Sequence, residues 1–274
     1  MKPKRKPLSR TKVLTYKDEY DSGLLLPVMR ATHRAKIGIG RVLPFSGVDI
    51  WNAYELSWLD PGGKPRVAIV TMIFPVESPR LIESRSMKLY LNSFNQSRFV
   101  SVDQVERTMR RDLRQACGSR VEVKVTLPGR FGQQVLEELE GKLIDGINTK
   151  ISGYKPDAEL LYATGPVVEE TLTSNLLKSN CPLTGQPDWA SLQVRYRGPK
   201  ISRAGLLRYV VSFRQHGDFH EHCVERIFTD ILQQCKPERL TVYARYTRRG
   251  GIDINPLRTN CDDAPPSNRR TARQ

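Results

Sequence analysis

The same order of signals occurs twice in this chain. Val102, Val105, Met109 and Leu113 fall at helical spacing, and so do Val224, Ile227, Phe228 and Ile231. V-E-R stands in both stretches, at Val105–Arg107 and Val224–Arg226, and a cysteine ends each one, Cys117 and Cys235. A strand with period-two alternation follows each, V-E-V-K-V-T-L-P and then L-T-V-Y-A-R-Y-T. The strand from Trp51 to Trp58 is matched with the one beginning at Trp189. Two related modules follow, joined somewhere within residues 130–170, with Gln133 to Ile144 as a possible extra helix. Ser101 with Gln104 reads as a capping box opening the first helix. Lys236-Pro237 closes the second, because proline cannot continue a helix and restricts the residue before it.

Strands and helices in alternation also suit parallel βαβ units. The turn Pro61-Gly62-Gly63, before the long apolar run Lys64 to Val76, is too short for a parallel crossover. The expectation is therefore α+β: antiparallel sheets with helices on one face. A length of 274 residues with 39% apolar content allows one or two domains with real cores. The formal charge of +15 is uneven. Residues 1–17 hold seven bases and no acid, and residues 264–274 hold Arg269, Arg270 and Arg273 and no acid. Such arms read as solvated ends, or as a contribution to RNA or anion binding. No secretory signal pattern opens the sequence, and no apolar run approaches the roughly 20 residues of a membrane span. Five scattered cysteines show neither disulfide nor zinc-ribbon spacing, which suits a reducing cytoplasmic setting.

Four segments hold residues able to do chemistry. Cys181 lies in the loop N-C-P-L-T-G-Q-P-D-W, with Asp188 seven residues on. It is either a nucleophile with a proton-exchanging partner or a small apolar residue beside a turn. The segment H-G-D-F-H-E-H-C holds His216, His220 and Cys223 at a spacing that suggests a metal, although it is not H-E-x-x-H. Asp218 and Glu221 also read as a capping pair for the second helix. Glu83 to Tyr90 sets Arg85 and Lys88 beside small serines, a phosphate-binding composition or a plain first helical turn. Arg248-Arg249-Gly250-Gly251 offers guanidinium forks and open backbone N–H groups, or a basic turn after a strand. No G-x-G-x-x-G opens a helix after a strand, so a dinucleotide-binding α/β fold is not supported.

Together, I-E-S-R-S-M-K-L-Y-L-N-S-F, S-N-C-P-L-T-G-Q-P-D-W, F-H-E-H-C-V-E-R-I-F and R-R-G-G-I-D-I-N-P strongly resemble the long, two-module nitrile reductases of queuosine biosynthesis, over roughly residues 20–260. The resemblance implies two tandem tunnelling-fold modules, each an antiparallel sheet with two helices on one face. The corresponding division is a basic arm 1–20, modules 21–145 and 146–260, and a disordered basic tail 261–274. It implies NADPH-dependent, four-electron reduction of 7-cyano-7-deazaguanine to the aminomethyl compound, an oxidoreductase step toward a modified tRNA. Cys181 would form a covalent thioimide and Asp188 would supply a proton. Glu83, Glu221 and His220, with Ile82 and Ser84, would hold the substrate, and Phe219 would stack on its ring. Ser84, Arg85, Arg249 and Gly250 would contact the cofactor, with Lys88 beside them. Arg85 stands where the family usually has lysine, which keeps the charge but exchanges a compact ammonium for a planar fork. No metal, nucleic acid or membrane is required, and a homo-oligomer, a dimer of two-module chains, is expected. The alternatives are a zinc-dependent purine hydrolase of the same fold and a non-enzymatic RNA-binding protein.

Overall fold

The computed structural model describes residues 16–262 and 266–274. The first module runs β1 (Pro27–Met29), α1 (Arg30–Lys36), β2 (Ser46–Leu59), β3 (Pro65–Pro75), β4 (Arg80–Ile82), α2 (Ser84–Asn92), α3 (Val102–Cys117) and β5 (Glu122–Thr126). After β6 (Lys142–Leu143), the second runs β7 (Ala163–Asn180), β8 (Pro187–Ile201), α4 (Arg203–Ser212), α5 (His220–Cys235), β9 (Arg239–Tyr246) and β10 (Ile252–Thr259). Each module is a long antiparallel hairpin, a pair of helices on one face, and further strand, as tandem tunnelling-fold modules require. The helices α3 and α5 are both 16 residues long, so the repeated V-E-R occupies equivalent helices.

Eight strands form one continuous sheet, in the order β5-β3-β2-β10-β9-β8-β7-β6. All its pairings are antiparallel apart from the two-residue contact of β6 with β7. The last strand makes the seam. β10 pairs with β9 only through its last three residues, Leu257 to Thr259, and runs antiparallel to β2 over its whole length, from Ile252 opposite Ala53 to Thr259 opposite Ser46.

Two cores lie under the helices. Val105, Met109 and Leu113 of α3 are fully buried against Trp51, Val70, Met72 and Phe74 of the first module. Val224, Ile227, Phe228 and Ile231 of α5 are fully buried against Leu192, Val194, Val242 and Ala244 of the second. Each such side chain taken out of water contributes about 1.5–3 kcal/mol, which is why the 3.6-residue spacing fixes the helix face.

The helix ends depart from expectation in detail. Ser101 Oγ accepts from Gln104 N–H at 3.2 Å, but the Gln104 side chain reaches one residue further back, to Val100 N–H at 2.8 Å. Lys236 ends α5 in a left-handed conformation, φ +48°, just before Pro237. The expected pairing of Asp218 with Glu221 does not form. Phe219 occupies the N-cap, Asp218 Oδ1 accepts from the Phe219 N–H at 2.8 Å, and Glu221 is turned inward and buried.

Three larger expectations are corrected. Gln133 to Ile144 is not a helix: it leaves a single 3-10 turn, Pro128–Gln133, and continues extended into β6, with Val135 and Leu136 exposed. Its apolar residues Leu136, Leu139 and Leu143 do fall at helical spacing, but Gly141 sits at φ +131°, outside helical backbone, and the chain pairs with β7 there instead. The strand of Trp51 is equivalent by element order to β7, not to the strand of Trp189, because the helix pair follows the second strand of each hairpin. Finally, the tail is not free over its described part. Asn268 accepts from Arg245 at 2.8 Å and Asn52 at 3.2 Å. Gln274 accepts from Arg245 at 2.8 Å and donates to Tyr246 O at 2.9 Å and Asn255 Oδ1 at 2.8 Å. The reason lies in the sheet. Asn52, Arg245 and Asn255 point to the face opposite the helices, are buried, and need hydrogen-bond partners that the tail supplies. Residues 1–15 of the N-terminal arm lie outside the described residues.

Candidate active site

The loop between β7 and β8 holds the cysteine. Cys181 N–H donates to Gln186 O at 2.8 Å and Gly185 N–H donates to Cys181 O at 2.9 Å. This closes a tight loop in which Gly185, at φ +70°, takes a conformation that a side chain would strain. Asn180 N–H donates to His216 O at 2.7 Å and Asp218 N–H to Asn180 O at 3.1 Å, which fastens the loop to the approach of α5. Cys181 is largely buried. Burial alone would raise its pKa. Hydrogen bonds from the Thr184 hydroxyl, the N–H groups of Leu183 and Thr184, and the Arg249 guanidinium outweigh that and hold the thiol below its ordinary value.

Asp188, the second residue of β8, is buried beside this loop. Its Oδ1 lies 3.2 Å from Arg249 Nε and 3.5 Å from His220 Nε2. Arg249 comes from the turn between β9 and β10, where Gly250 and Gly251 have φ of +58° and +73°. Its Nη1 donates to Gln186 at 3.0 Å, so one guanidinium spans the cysteine loop and the aspartate.

The first turn of α5 supplies the other wall. The His220 ring stands edge-on to Tyr246 with centroids 4.1 Å apart. Glu221 is fully buried, and its Oε1 has no hydrogen-bond partner. Burial, and then the neighbouring Asp49 carboxylate, push Glu221 up to about 8, so it is mostly neutral at pH 7. A neutral carboxyl with an unused oxygen is an acceptor waiting for a donor.

The first module closes the cleft with Trp51, Ile82 and Ser84. Cys181, Asp188, Phe219, His220, Glu221 and Arg249 line the same cleft, so most of the residues singled out from the sequence meet in one place. Three fall differently. The Glu83 carboxylate is not in the cleft lining; it caps α2, accepting from Arg85 N–H at 2.9 Å and Ser86 N–H at 2.7 Å. Arg85 is exposed and outside the lining. Lys88, one turn further along α2, borders the adjoining openings with Arg249 and Gly250 instead. Burial, then Arg249, hold the Lys88 ammonium below its ordinary value, against Glu83, Asp188 and Cys181. Gly250 holds φ +58°, a backbone conformation that a side chain would strain, and a Cβ there would stand 2.8 Å from Lys88 Nζ.

Sequence reasoning missed Trp51, Tyr246 and Thr184 as site residues. Thr184 alone left a trace, inside the quoted loop motif. Cys223, considered with His216 and His220 as a metal ligand, is fully buried and its thiol is raised by desolvation.

The family model for the N-terminal part of the nitrile reductase 7-cyano-7-deazaguanine reductase matches residues 16–125, and the model of the QueF-like protein matches residues 187–265. The NADPH-dependent 7-cyano-7-deazaguanine reductase of Bordetella parapertussis is 60% identical over 262 residues, covering 95% of this chain and 96% of that protein. The enzyme of the same name from Burkholderia vietnamiensis is 55% identical over 276 residues, with both chains covered completely. Among solved structures, the apo archaeosine synthase QueF-Like aligns with a TM-score of 0.31 at 16% identity, over 37% of this chain and 100% of that one. On the strength of the full-length relatives and the two family models, this chain belongs to the NADPH-dependent 7-cyano-7-deazaguanine reductase family.

Proposed function

We propose that this chain reduces the nitrile of 7-cyano-7-deazaguanine to the aminomethyl group through a thioimide on Cys181. One observation carries the reading: a thiol held low and a buried, unpartnered carboxyl, Cys181 and Glu221, line the same cleft. A guanine-like ring presents N–H donors on its edge, which Glu221 is free to accept. Phe219 offers a flat apolar face to the ring. Glu83 acts through α2, whose first N–H groups it orders, rather than by lining the cleft.

In the first step the Cys181 sulfur bonds to the nitrile carbon. One π pair of the triple bond moves to nitrogen, which takes the proton that Asp188 relays from the Cys181 thiol. His220 and Arg249, both on Asp188 Oδ1, steady that carboxyl. Two NADPH molecules, bound in turn, would supply one hydride each, to the thioimide carbon and then to the imine, and each reduction also takes one proton, which Asp188 is placed to relay. After the first, the carbon–sulfur bond breaks and Cys181 recovers its electron pair. Arg249 and Thr184 stabilise the departing thiolate. The residues bordering the cleft fit a phosphate-bearing cofactor, because Lys88 and Arg249 supply charge and the Gly250-Gly251 turn leaves backbone accessible. Enclosure between the modules keeps water from the imine. The working assembly is a dimer of two-module chains in the cytoplasm, with no nucleic acid or membrane needed. Among the described residues no helix is long and apolar enough to cross a membrane.

The test is covalent capture. Incubated with the cyano compound and no NADPH, the wild-type chain gains the mass of one substrate molecule, and Cys181→Ala gains none. An adduct that persists in Cys181→Ala, or a wild-type chain that never gains mass, removes the nucleophile.

A further inference from the structure

A second carboxyl enters the substrate cleft three residues before Glu221. Asp218 lines it together with Cys181, Phe219, His220 and Glu221, and its side chain is 21% exposed. The steps above make no use of it. Its N–H donates to Asn180 O at 3.1 Å, which seats it beside the Cys181 loop.

The two oxygens of Asp218 are held differently. Oδ1 accepts the Phe219 N–H at 2.8 Å, and His222 Nδ1 stands 3.3 Å and His33 Nδ1 3.4 Å from it. Oδ2 accepts no hydrogen bond among the described residues; His216 Nε2, at 3.8 Å, is beyond reach. Burial would raise the pKa of Asp218, but His222, the Phe219 N–H and His33 outweigh it and hold the carboxyl below its ordinary value. At neutral pH Asp218 is therefore an anion with one anchored oxygen and one open oxygen. Glu221, pushed up by burial, is mostly neutral, so the start of α5 presents two carboxyls of different character.

The substrate assigned above decides what the open oxygen can meet. The ring of 7-cyano-7-deazaguanine carries N–H donors on two edges: N1–H and the 2-amino group on one, and the pyrrole N–H on another. The nitrile carbon has to reach Cys181, and Glu221 accepts from the first edge. Two flanks remain beside the nitrile. One holds the ring carbonyl, an acceptor that an anionic oxygen repels. The other holds the pyrrole N–H, two bonds from the nitrile-bearing carbon. Asp218, fastened to the residue before Cys181, belongs on that flank.

We propose that Asp218 is the specificity residue for the pyrrole N–H of the substrate, with Oδ2 accepting that hydrogen while Oδ1 stays fastened to the protein. The inference rests on the substrate read above. It makes the site one for the free base, because a ring alkylated or glycosylated at that nitrogen leaves a desolvated anion unpaired.

The test uses the parent compound and its furan analogue, in which oxygen replaces the pyrrole N–H without added bulk. Wild type prefers the parent by about 100-fold or more in kcat/KM, because the ring oxygen sets a lone pair against the carboxylate. Asp218→Asn keeps the shape and the Oδ1 contacts, and its amide can turn an N–H toward the ring oxygen. Its KM for the parent rises about 10–100-fold with kcat little changed, and its preference collapses to within about threefold. A wild-type preference below about threefold overturns the proposal, as does a preference that survives intact in Asp218→Asn. The first of these needs no variant, so it decides even if Asp218→Asn does not fold. Covalent capture separates the two readings. A wild-type chain that gains the mass of the parent compound but shows no preference removes the role of Asp218 alone, whereas one that never gains mass removes the nitrile chemistry beneath it.

Discussion

Glu225 lies one helical turn beyond Glu221 and anchors α5 to the first module. It is completely buried, and Arg34 grips it as a fork, Nε to Oε2 at 3.0 Å and Nη2 to Oε1 at 2.7 Å. Arg258 Nη2 adds a contact at 3.0 Å, and Arg30 Nη1 stands 3.8 Å away. Arg30 and Arg258 share Asp49, at 2.5 Å and 2.8 Å. Burial would raise the Glu225 pKa, but Arg258 and then Arg34 and Arg30 outweigh it and hold it at about 2, against an ordinary 4.5. A carboxylate whose folded pKa is depressed adds stability that is complete above the unfolded value and is lost as pH falls through the folded one. A fall of about 2.5 units, at about 1.4 kcal/mol each, comes to about 3.5 kcal/mol. Glu225→Gln keeps the shape and removes the charge, leaving three buried guanidiniums with one carboxylate. Loss of one partner of a buried pair typically costs about 3–5 kcal/mol. Urea unfolding followed by tryptophan fluorescence at pH 7 should therefore show the variant about 3.5 kcal/mol less stable. Below pH 4.5 that gap should shrink toward zero as the wild-type carboxyl protonates. A gap under about 1 kcal/mol at pH 7, or one that stays constant with pH, would refute the reasoning.

Three further outcomes are expected. Thr184→Val removes a hydrogen bond to the Cys181 thiolate, worth about 1.5–3 kcal/mol for a charged group, so the pH midpoint of Cys181 alkylation rises by about one unit; an unmoved midpoint counts against Thr184. Glu221 has a raised folded value, so its contribution to stability is complete below 4.5 and is lost as pH rises through about 8. Glu221→Gln, which mimics the neutral form, should thus gain stability over wild type between pH 6 and 9 while its KM rises about tenfold or more; parallel stability curves would contradict the shift. Deleting Gln274 strands Arg245 Nε and Asn255 Oδ1, at about 1–3 kcal/mol per buried unpaired group, and should lower the melting temperature by several degrees; an unchanged melting temperature would mean that the tail does not seal this face.

The readable part of the sequence was the part set by local periodicity. Val105, Met109 and Leu113 announce the buried face of α3 because each loses water by lying inward, and the same holds for Val224, Ile227 and Ile231. Cys181 and Asp188 were distinguished by their motif rather than by their chemistry, since a loop cysteine beside a turn is an ordinary feature. The position of Lys88 nearer the cleft than Arg85 was legible from helix geometry. Ser84 and Lys88 are four residues apart and share a helix face, while Arg85 is turned about 100° from Ser84. The tail was misread because charge was its only local signal. Its partners Asn52, Arg245 and Asn255 are polar strand residues that look solvent-facing until the third layer covers them. His33 had no local signal at all, since its neighbours Asp218 and His222 are brought to it by the packing of α1 on α5.

The division of labour between the modules explains why the seam matters. The second module holds Cys181, Asp188, His220 and Glu221, while the first supplies Ser84, Ile82 and Trp51 to the same cleft. Arg249 binds both Asp188 and the cysteine loop, and it sits at the mouth of β10, the strand whose longest pairing is with β2 of the other module. The position of Arg249 is thus set by inter-module register. A slip of β10 against β2 by one residue would reverse which of its side chains face the core, expelling Ile252 and Ile254 and burying Asp253 among apolar groups. Register is therefore pinned by burial on one face and by the Asn52–Asp253–Asn255 hydrogen bonds on the other. The charges around Glu225 then fix α5 against the same boundary. The Cys181 thiol is held low first by the Thr184 hydroxyl and the Leu183 and Thr184 N–H groups of its own loop and last by Arg249, so only the smallest of these contributions depends on the register of β10 against the first module.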